Sequence, residues 1–250
     1  MALTYEEILE RLRAGRDADA VAGMARYGIV GAEVFGVKVP VLRTLAREAG
    51  RDHALALRLW AYPSRETRVL ATMVDRPPWV DEAQMEAWAA DFDSWEVCDQ
   101  ACGNLFAHTP FAYAKALAWS ARPEEFVKRA GFVLMADLAH RDQKTSDEAL
   151  LACLPIIERE AADGRNFVKK AVNWALRNIG KRNRALNAAA LATAEKLRAA
   201  ANRRAGGERG GDPAARAARW VATDALRELA SDKVQARLKA GIRTSRFRPA

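Results

Sequence analysis

Apolar residues along this chain of 250 residues recur at spacings of three and four, which is the period of an amphipathic α-helix. Glycine is sparse inside these segments, and no stretch alternates apolar and polar residues for long. Residues that favour helix starts precede several segments, as at Ser64, at Ser146 and at the pair Asp212 and Pro213. The pattern therefore predicts an all-α protein.

The spacing of these start signals predicts how the helices are arranged. They recur about every 15–20 residues, which is typical of short helices joined by short turns. Paired helices in succession favour an α-solenoid of HEAT-like repeats that spans residues 1–250 as a single domain, and a plain helical bundle is the alternative. The glycine- and charge-rich stretch 202–212 is predicted to be a mobile loop, and residues 241–250 a basic tail.

Composition narrows the class of protein. Hydrophobic residues make up 50% of the chain, which is enough for a sizeable core. The chain opens on a charged amphipathic segment instead of a signal peptide, and no apolar run is long enough to cross a membrane. Cys98, Cys102 and Cys153 cannot all pair with one another, so a reduced cytoplasmic setting is expected, in the bacterial cytosol or nucleoid.

The segment 167–184 is predicted to form one amphipathic helix with two different faces. Its apolar stripe consists of Val168, Val172, Leu176 and Ile179. The other face carries Lys170, Trp174, Arg177 and Lys181. Residues 163–184 hold seven cations against one anion, within a chain of net charge +8. A tryptophan among cations favours a nucleic acid as the partner, and a solvated basic face is the alternative.

A second unusual pair consists of Trp95 and Asp99, which are four residues apart and so share one face of a predicted helix. The core side of that helix is predicted to hold Val97, Cys98, Ala101, Cys102 and Leu105. Two interpretations of the pair remain. It is either an ordinary surface acid beside a half-buried tryptophan, or a carboxylate held against an aromatic wall, where it can stabilise positive charge. Near this pair, Cys98, Cys102 and His108 lack a fourth ligand, so no metal site is predicted.

Several sequence stretches are more informative about the family of the protein when their order along the chain is considered than when each is taken alone. SWEVCDQACGNLF contains Trp95 and Asp99, FVKRAGFVLMADLA contains Arg129, and FVKKAVNWALRNIGKRN contains Trp174. FGVKVPVLRTLARE and RETRVLA precede them. From about Gly28 to about Leu186, this ordered set resembles the AlkD-type DNA alkylation-repair glycosylases, an all-helical family built of HEAT-like repeats.

The resemblance implies a DNA glycosylase that excises cationic alkylated purines, of the 3-methyladenine and 7-methylguanine type, from duplex DNA in base excision repair. Asp99 would be the catalytic carboxylate, and Trp95 and Trp174 would be aromatic walls on a concave basic face. The expected DNA contacts are Arg129, Lys128, Lys169, Lys170, Arg177, Lys181 and Arg182. No cofactor is expected. The expected partner is double-stranded DNA carrying alkylated bases, bound by a monomer without a membrane.

Such chemistry needs few groups, because a purine alkylated at N3 or N7 is already cationic and leaves as a neutral base. Positive charge then moves to the sugar, where a carboxylate and aromatic faces stabilise it. Two other functions stay open: a helical-repeat nucleic-acid-binding protein without catalysis, and a protein-binding scaffold whose basic face meets an acidic partner. A binding protein would need the cations but not an acid among them, so the sequence favours the glycosylase.

Overall fold

The computed structural model describes residues 2–140, 144–205 and 212–241. In these ranges the regular elements are helices, apart from one isolated bridge between Glu33 and Ser64. The prediction of an all-α fold is therefore confirmed. The chain divides into two compact units between Phe111 and Ala112. That the whole chain acts as a single domain stays a prediction.

The helices of the first unit bury apolar side chains, except α2, which has no buried residue. Its α-helices are α1 (Tyr5–Ala14), α2 (Ala18–Arg26), α3 (Val39–Ala49), α4 (His53–Ala61), α5 (Arg65–Val74), α6 (Glu82–Ala90) and α7 (Trp95–Asn104). Short 3-10 turns cover Pro77–Trp79 and Phe106–His108. Helix α5 packs against α3, α4 and α7. It begins where the sequence predicts, because the side chain of Ser64 accepts the backbone N–H of Thr67.

The segment between α2 and α3 is held by one buried carboxylate. Glu66 lies fully buried on α5, and its oxygens accept the backbone N–H groups of Phe35, Gly36 and Val37 at 3.0, 2.9 and 3.2 Å. The guanidinium of Arg65 donates to the same carboxylate at 3.0 Å and to the carbonyl oxygen of Val37 at 2.7 Å. A buried charge is tolerated only when it is paired and hydrogen-bonded, and both conditions are met here. The stretches FGVKVP and RETRVLA are therefore two halves of one buried network.

A close approach of two backbones lies beside this network. Gly36 has a φ of 85°, and a Cβ placed on it would lie 2.4 Å from the carbonyl oxygen of Asp17. The backbone N–H of Asp17 donates to the carbonyl oxygen of Phe35 at 2.9 Å, and the Asp17 side chain caps α2. A larger residue at position 36 would push the segment away from the start of α2.

The second unit stacks its helices side by side. They are α8 (Ala112–Ser120), α9 (Glu125–His140), α10 (Asp147–Glu160), α11 (Asn166–Gly180), α12 (Arg184–Ala205), α13 (Pro213–Leu229) and α14 (Asp232–Lys239). Helix α11 packs between α9 and α13, and α8 packs closely on α9. The closeness of α8 and α9 depends on Gly131, because a Cβ there would lie 2.5 Å from the backbone nitrogen of Ser120. Among the described helices, none has both the length and the apolar character that a bilayer span requires.

Two boundaries differ from the sequence predictions. The helix predicted for 167–184 ends at Gly180, because Asn183 accepts the backbone N–H of Leu186 at 2.9 Å and so starts α12. Helix α12 then continues to Ala205, so residues 202–205 of the predicted loop are helical. Residues 206–211 of that loop, and residues 242–250 of the predicted tail, lie outside the described residues.

The contact at Gly36 predicts a specific loss of stability. We expect Gly36→Ala to lower the free energy of unfolding by about 1 kcal/mol through its positive φ, and by about 2 kcal/mol more through the loss of hydrogen bonds to Glu66. Urea unfolding measures this loss. Gly50→Ala is the matched control, because Gly50 also has a positive φ, of 77°, but a Cβ there would meet nothing within 4 Å. Equal losses in the two variants would contradict the assignment.

Candidate functional site

The first predicted pair lies on α7, at the edge of its buried face. That face is fully buried as predicted, at Val97, Cys98, Ala101, Cys102 and Leu105. Trp95 and Asp99 are each half-buried. The indole N–H of Trp95 donates to the carbonyl oxygen of Tyr27 at 2.8 Å, which fixes the orientation of the ring. Asp99 lies one helical turn further along the same face.

The start of α7 is anchored by a bidentate ion pair. Arg65 donates through Nε and Nη2 to the two carboxylate oxygens of Glu96, at 2.7 and 2.8 Å. Burial acts to lower the pKa of Arg65, but the hydrogen bonds and attraction of Glu96 and Glu66 outweigh it and raise that pKa. Glu96 is the next residue to Trp95, so the network that holds the segment before α3 also holds the helix that carries the candidate site.

A second cation fixes the turn before α7. Arg68 donates to the carbonyl oxygen of Asp91 at 2.8 Å and to the carboxylate of Asp93 at 3.0 Å. Burial raises the pKa of Asp93, and the attraction of Arg68 opposes that rise only in part. The sequence pattern assigned no role to Arg65, Glu66, Arg68 or Glu96. The available signal was the charged run RETR, which begins α5 in the middle of an apolar segment.

The second predicted group lies on α11. Its apolar stripe is fully buried as predicted, at Val168, Val172, Leu176 and Ile179. On its other side Lys170 is exposed, and Trp174, Arg177 and Lys181 are half-buried. The structure therefore places a partly accessible tryptophan among cations within one face of the second unit. Trp174 belongs to the second unit and Trp95 to the first, so their predicted action as two walls of one site stays a prediction.

Two of these cations are already paired with α13. Arg177 forms an ion pair with Glu228 and lies 3.5 Å from the carboxylate of Asp224. Lys181 donates to Glu228 at 2.7 Å. Burial acts to raise the pKa of Glu228, but the hydrogen bonds and attraction of Lys181 and Arg177 outweigh it and lower that pKa. The local charge that the sequence shows around α11 is thus partly balanced from a helix about 50 residues away.

The predicted DNA contacts on α9 are engaged with neighbouring helices. Lys128 donates to Glu160 at 2.6 Å and lies 3.5 Å from Asp163. Burial acts to raise the pKa of Glu160, but hydrogen bonds from Lys128 and Arg159 lower it overall. Arg129 is buried on α9 and donates to the carbonyl oxygen of Phe167 at 2.6 Å. In the structure Lys128 therefore joins α9 to the end of α10, and Arg129 joins α9 to the start of α11.

The remaining predicted contacts differ in accessibility. Arg182 donates to the carbonyl oxygens of Leu138 and Ala139 at 3.2 Å each, so it satisfies groups at the end of α9. Lys169 lies with its ammonium nitrogen 4.9 Å from the ring centroid of Trp220 on α13. Among the seven predicted contacts, Lys170 is the exposed residue, and the other side chains are half-buried or buried. DNA binding by all seven stays a prediction.

The cysteines behave as core residues. Cys98, Cys102 and Cys153 are buried with free thiols, and burial raises the pKa of Cys153 to about 11. Within the ranges that the structure describes, no cluster of three or more His, Cys, Asp or Glu side chains has the arrangement that a metal ion needs.

Comparison with known proteins shows which family the chain resembles. A family model described as DNA alkylation repair enzyme matches residues 8–236. One similar solved structure is described as "a new family of proteins related to the HEAT-like repeat DNA glycosylases with affinity for branched DNA structures". It has a TM-score of 0.74 and 15% identity, and the match covers 99% of this chain and 100% of that chain. This likeness confirms the HEAT-like repeat fold. No curated protein matches the chain.

The pairing of Glu228 predicts that part of the stability depends on pH. Because the pKa of Glu228 is lowered in the folded state, its contribution is present above its unfolded pKa of about 4.3 and is lost as pH falls through the folded pKa. We expect Glu228→Gln to lower the free energy of unfolding by about 1 kcal/mol at pH 7, and to change it little near pH 3. Urea unfolding of both proteins at several pH values measures this difference. A difference that stayed constant over that range would show that the ion pairs do not contribute.

Proposed function

The chain belongs to the DNA alkylation repair enzyme family, and we propose that within it the protein is a DNA glycosylase that excises cationic N3- or N7-alkylpurines from duplex DNA. One observation carries the proposal: on α7 a carboxylate, Asp99, lies one turn from an indole, Trp95, whose ring is fixed by a hydrogen bond to Tyr27. A carboxylate beside an aromatic wall has the character that an oxocarbenium-like transition state requires.

Asp99 and Trp95 would act on the sugar more than on the base. As the bond between sugar and purine breaks, the electron pair goes to the base, which leaves neutral, and positive charge develops on the sugar. The carboxylate of Asp99 would stabilise that charge and orient the attacking water, and the face of Trp95 would favour the same cation. No proton donor to the base is needed. Neutral bases would leave far more slowly, because without a proton donor they would have to leave as anions.

The support of α7 is part of the proposed mechanism. Electrostatic stabilisation is effective when the charged group does not have to move as the reaction proceeds. The ion pair between Arg65 and Glu96 holds the first turn of α7, and the hydrogen bond of Trp95 to Tyr27 holds the wall. These contacts would keep Asp99 in place before the substrate arrives, and so act through positioning.

The second unit would supply a further wall and the backbone contacts. Trp174 is proposed as the second aromatic wall, and Lys170 as the first phosphate contact because it is exposed. Arg177 and Lys181 would reach phosphate by exchanging Glu228 for it. The remaining predicted contacts, Lys128, Arg129, Lys169 and Arg182, would add positive potential that attracts DNA.

A second candidate function is binding to branched DNA without base excision. It is favoured by the description of the similar solved structure, which gives that protein an affinity for branched DNA structures. The two candidates make different use of Asp99. A protein that only binds would gain nothing from an acid beside an indole, whereas a glycosylase would depend on it.

Replacement of the carboxylate separates the two candidates. We expect Asp99→Asn to lower the release of methylated purines from duplex DNA at least tenfold, because the charge that stabilises the sugar cation is lost. DNA affinity should be kept or improved, because a negative charge near phosphate has been removed. Single-turnover base release and equilibrium binding to the same methylated duplex measure the two effects.

The control for this experiment is Asp81→Asn, which removes a carboxylate from the same unit at the cap of α6, where asparagine caps equally well. It should leave base release unchanged.

Combining Asp99→Asn with Trp174→Ala tests whether both units act on one lesion, since the combined loss would then be smaller than the product of the separate losses. Equal excision by wild type and Asp99→Asn would disprove the role of Asp99. Tight binding of branched DNA by a wild type that releases no base would favour the second candidate.

If phosphate displaces Glu228 from Arg177 and Lys181, a variant without the Glu228 carboxylate should bind DNA more tightly. We expect Glu228→Gln to bind duplex DNA about threefold to tenfold more tightly, with a steeper salt dependence, because Arg177 and Lys181 no longer have to leave an acid. Fluorescence anisotropy at several salt concentrations measures both quantities. Glu158→Gln is the matched control, because it removes the same charge from a pair with Lys196 in the same unit. An equal gain in the control would show that only net charge matters.

A further inference from the structure

The exposed side of α13 carries an aromatic ring and cations without an acid. Its exposed residues are Pro213, Arg216, Trp220, Thr223 and Arg227. Trp220 is 40% exposed, which is unusual for so large an apolar side chain. The two acids of the same helix, Asp224 and Glu228, are half-buried toward α11, where Asp224 accepts the side-chain amide of Asn173 at 2.7 Å and Glu228 pairs with Lys181. The exposed residues around Trp220 therefore include two arginines and no acid, and Arg227 is paired with the less exposed Asp224.

Helix α11 adds a cation to the same surface, because the ammonium nitrogen of Lys169 lies 4.9 Å from the ring centroid of Trp220. Arg227 has a side chain that is 79% exposed, and its partner Asp224 lies three residues earlier on the same helix. An ion pair with one partner so exposed contributes little, so Arg227 can leave it at small cost. Along the axis of α13, Arg216 and Arg227 are about 16 Å apart, with Trp220 between them.

This arrangement has the chemistry of a contact for single-stranded nucleic acid. An exposed indole offers a flat face to a base, but bases inside a duplex are already stacked and only an unpaired base can use that face. Cations on both sides of the ring are placed to hold the phosphates that flank such a base. An acidic protein segment would use the cations but would gain little from the exposed ring.

We propose that Trp220, with Arg216, Arg227 and Lys169, forms a second DNA contact that takes an unpaired nucleotide next to a duplex. The proposal rests on the proposed function, in that the ligand is DNA, and it adds a substrate preference for DNA with a single-stranded tail or gap. Trp220 stacks on the unpaired base, and Arg216 and Arg227 bind the adjoining phosphates. The sequence pattern did not predict this surface, because the resemblance ends near Leu186 and α13 follows it.

The test compares binding to two DNA molecules whose duplex parts have the same sequence and length. One is blunt, and the other carries a short single-stranded tail. We expect wild type to bind the tailed duplex more tightly, and Trp220→Ala to lose at least about fivefold in affinity for the tailed duplex while affinity for the blunt duplex changes less than about twofold. Trp220→Phe should keep most of the affinity, because phenylalanine also stacks. Thermal melting of each variant checks that the fold is intact.

Trp79→Ala is the matched control. Trp79 is also an exposed tryptophan, at 62%, and it also has a cation over its ring, with Arg76 at 5.4 Å, but it lies in the first unit. The control should bind both DNA molecules as wild type does. Equal losses for Trp220→Ala on both DNA molecules, or no loss on either, would overturn the inference. Competition by poly-glutamate that matches competition by the single-stranded tail would also overturn it, in favour of an acidic protein partner.

Failure of this inference can be told apart from failure of the proposed function. A wild type that releases methylated purines and binds blunt duplex, yet shows no preference for the tailed duplex, overturns the inference alone. A wild type that binds neither DNA molecule overturns both.

Discussion

The carboxylate of Glu66 lies where water does not reach it, and it accepts three backbone N–H groups and a guanidinium. Leaving such a charge without partners would cost several kcal/mol, so the segment 35–37 has to stay where its N–H groups can reach it. Arg65 carries the same constraint onward, since its remaining donors bind both oxygens of Glu96 at the start of α7. The position of Trp95 and Asp99 therefore depends on a network whose centre is on another helix. A change at Gly36, which touches neither residue, would be felt at both through this network.

The second unit handles charge in another way. Its cations at positions 177 and 181 are half-buried and are balanced by Glu228 from α13. Ion pairs at this level of exposure are worth about 1 kcal/mol or less, so an incoming phosphate can replace the acid at little cost. The same pairs balance the cations when no phosphate is bound. The sequence predicts a strongly basic surface here, but in the folded protein Glu228 pairs with two of its cations. Arg177 and Lys181 can bind another anion only when that anion displaces Glu228.

The sequence predicted those features that depend on local spacing. The buried stripe of α11 and the core face of α7 follow from periodicity, and the caps at Ser64 and Ser146 follow from side-chain chemistry close to the helix start. It did not predict what depends on distant residues. Glu66 and Arg65 look like ordinary charges at a helix start until the loop 35–37 folds over them, and Glu228 is about 50 residues from the cations it balances. The end of α11 at Gly180 was missed for a local reason, the cap at Asn183, in a stretch whose apolar period continues.

These two arrangements of charge suit the two tasks of the proposed enzyme. Stabilising a transition state requires a carboxylate that does not move, and the buried network of the first unit gives α7 that rigidity. Binding DNA of any sequence requires cations that can exchange partners quickly, and the half-buried pairs of the second unit allow it. If the cations proposed to bind DNA were in buried ion pairs, they would exchange their acid for phosphate too slowly. If the ion pair that supports α7 were exposed, Asp99 would be held less firmly. Burial of the ion pairs, more than their number, therefore distinguishes the network that supports α7 from the pairs between α11 and α13.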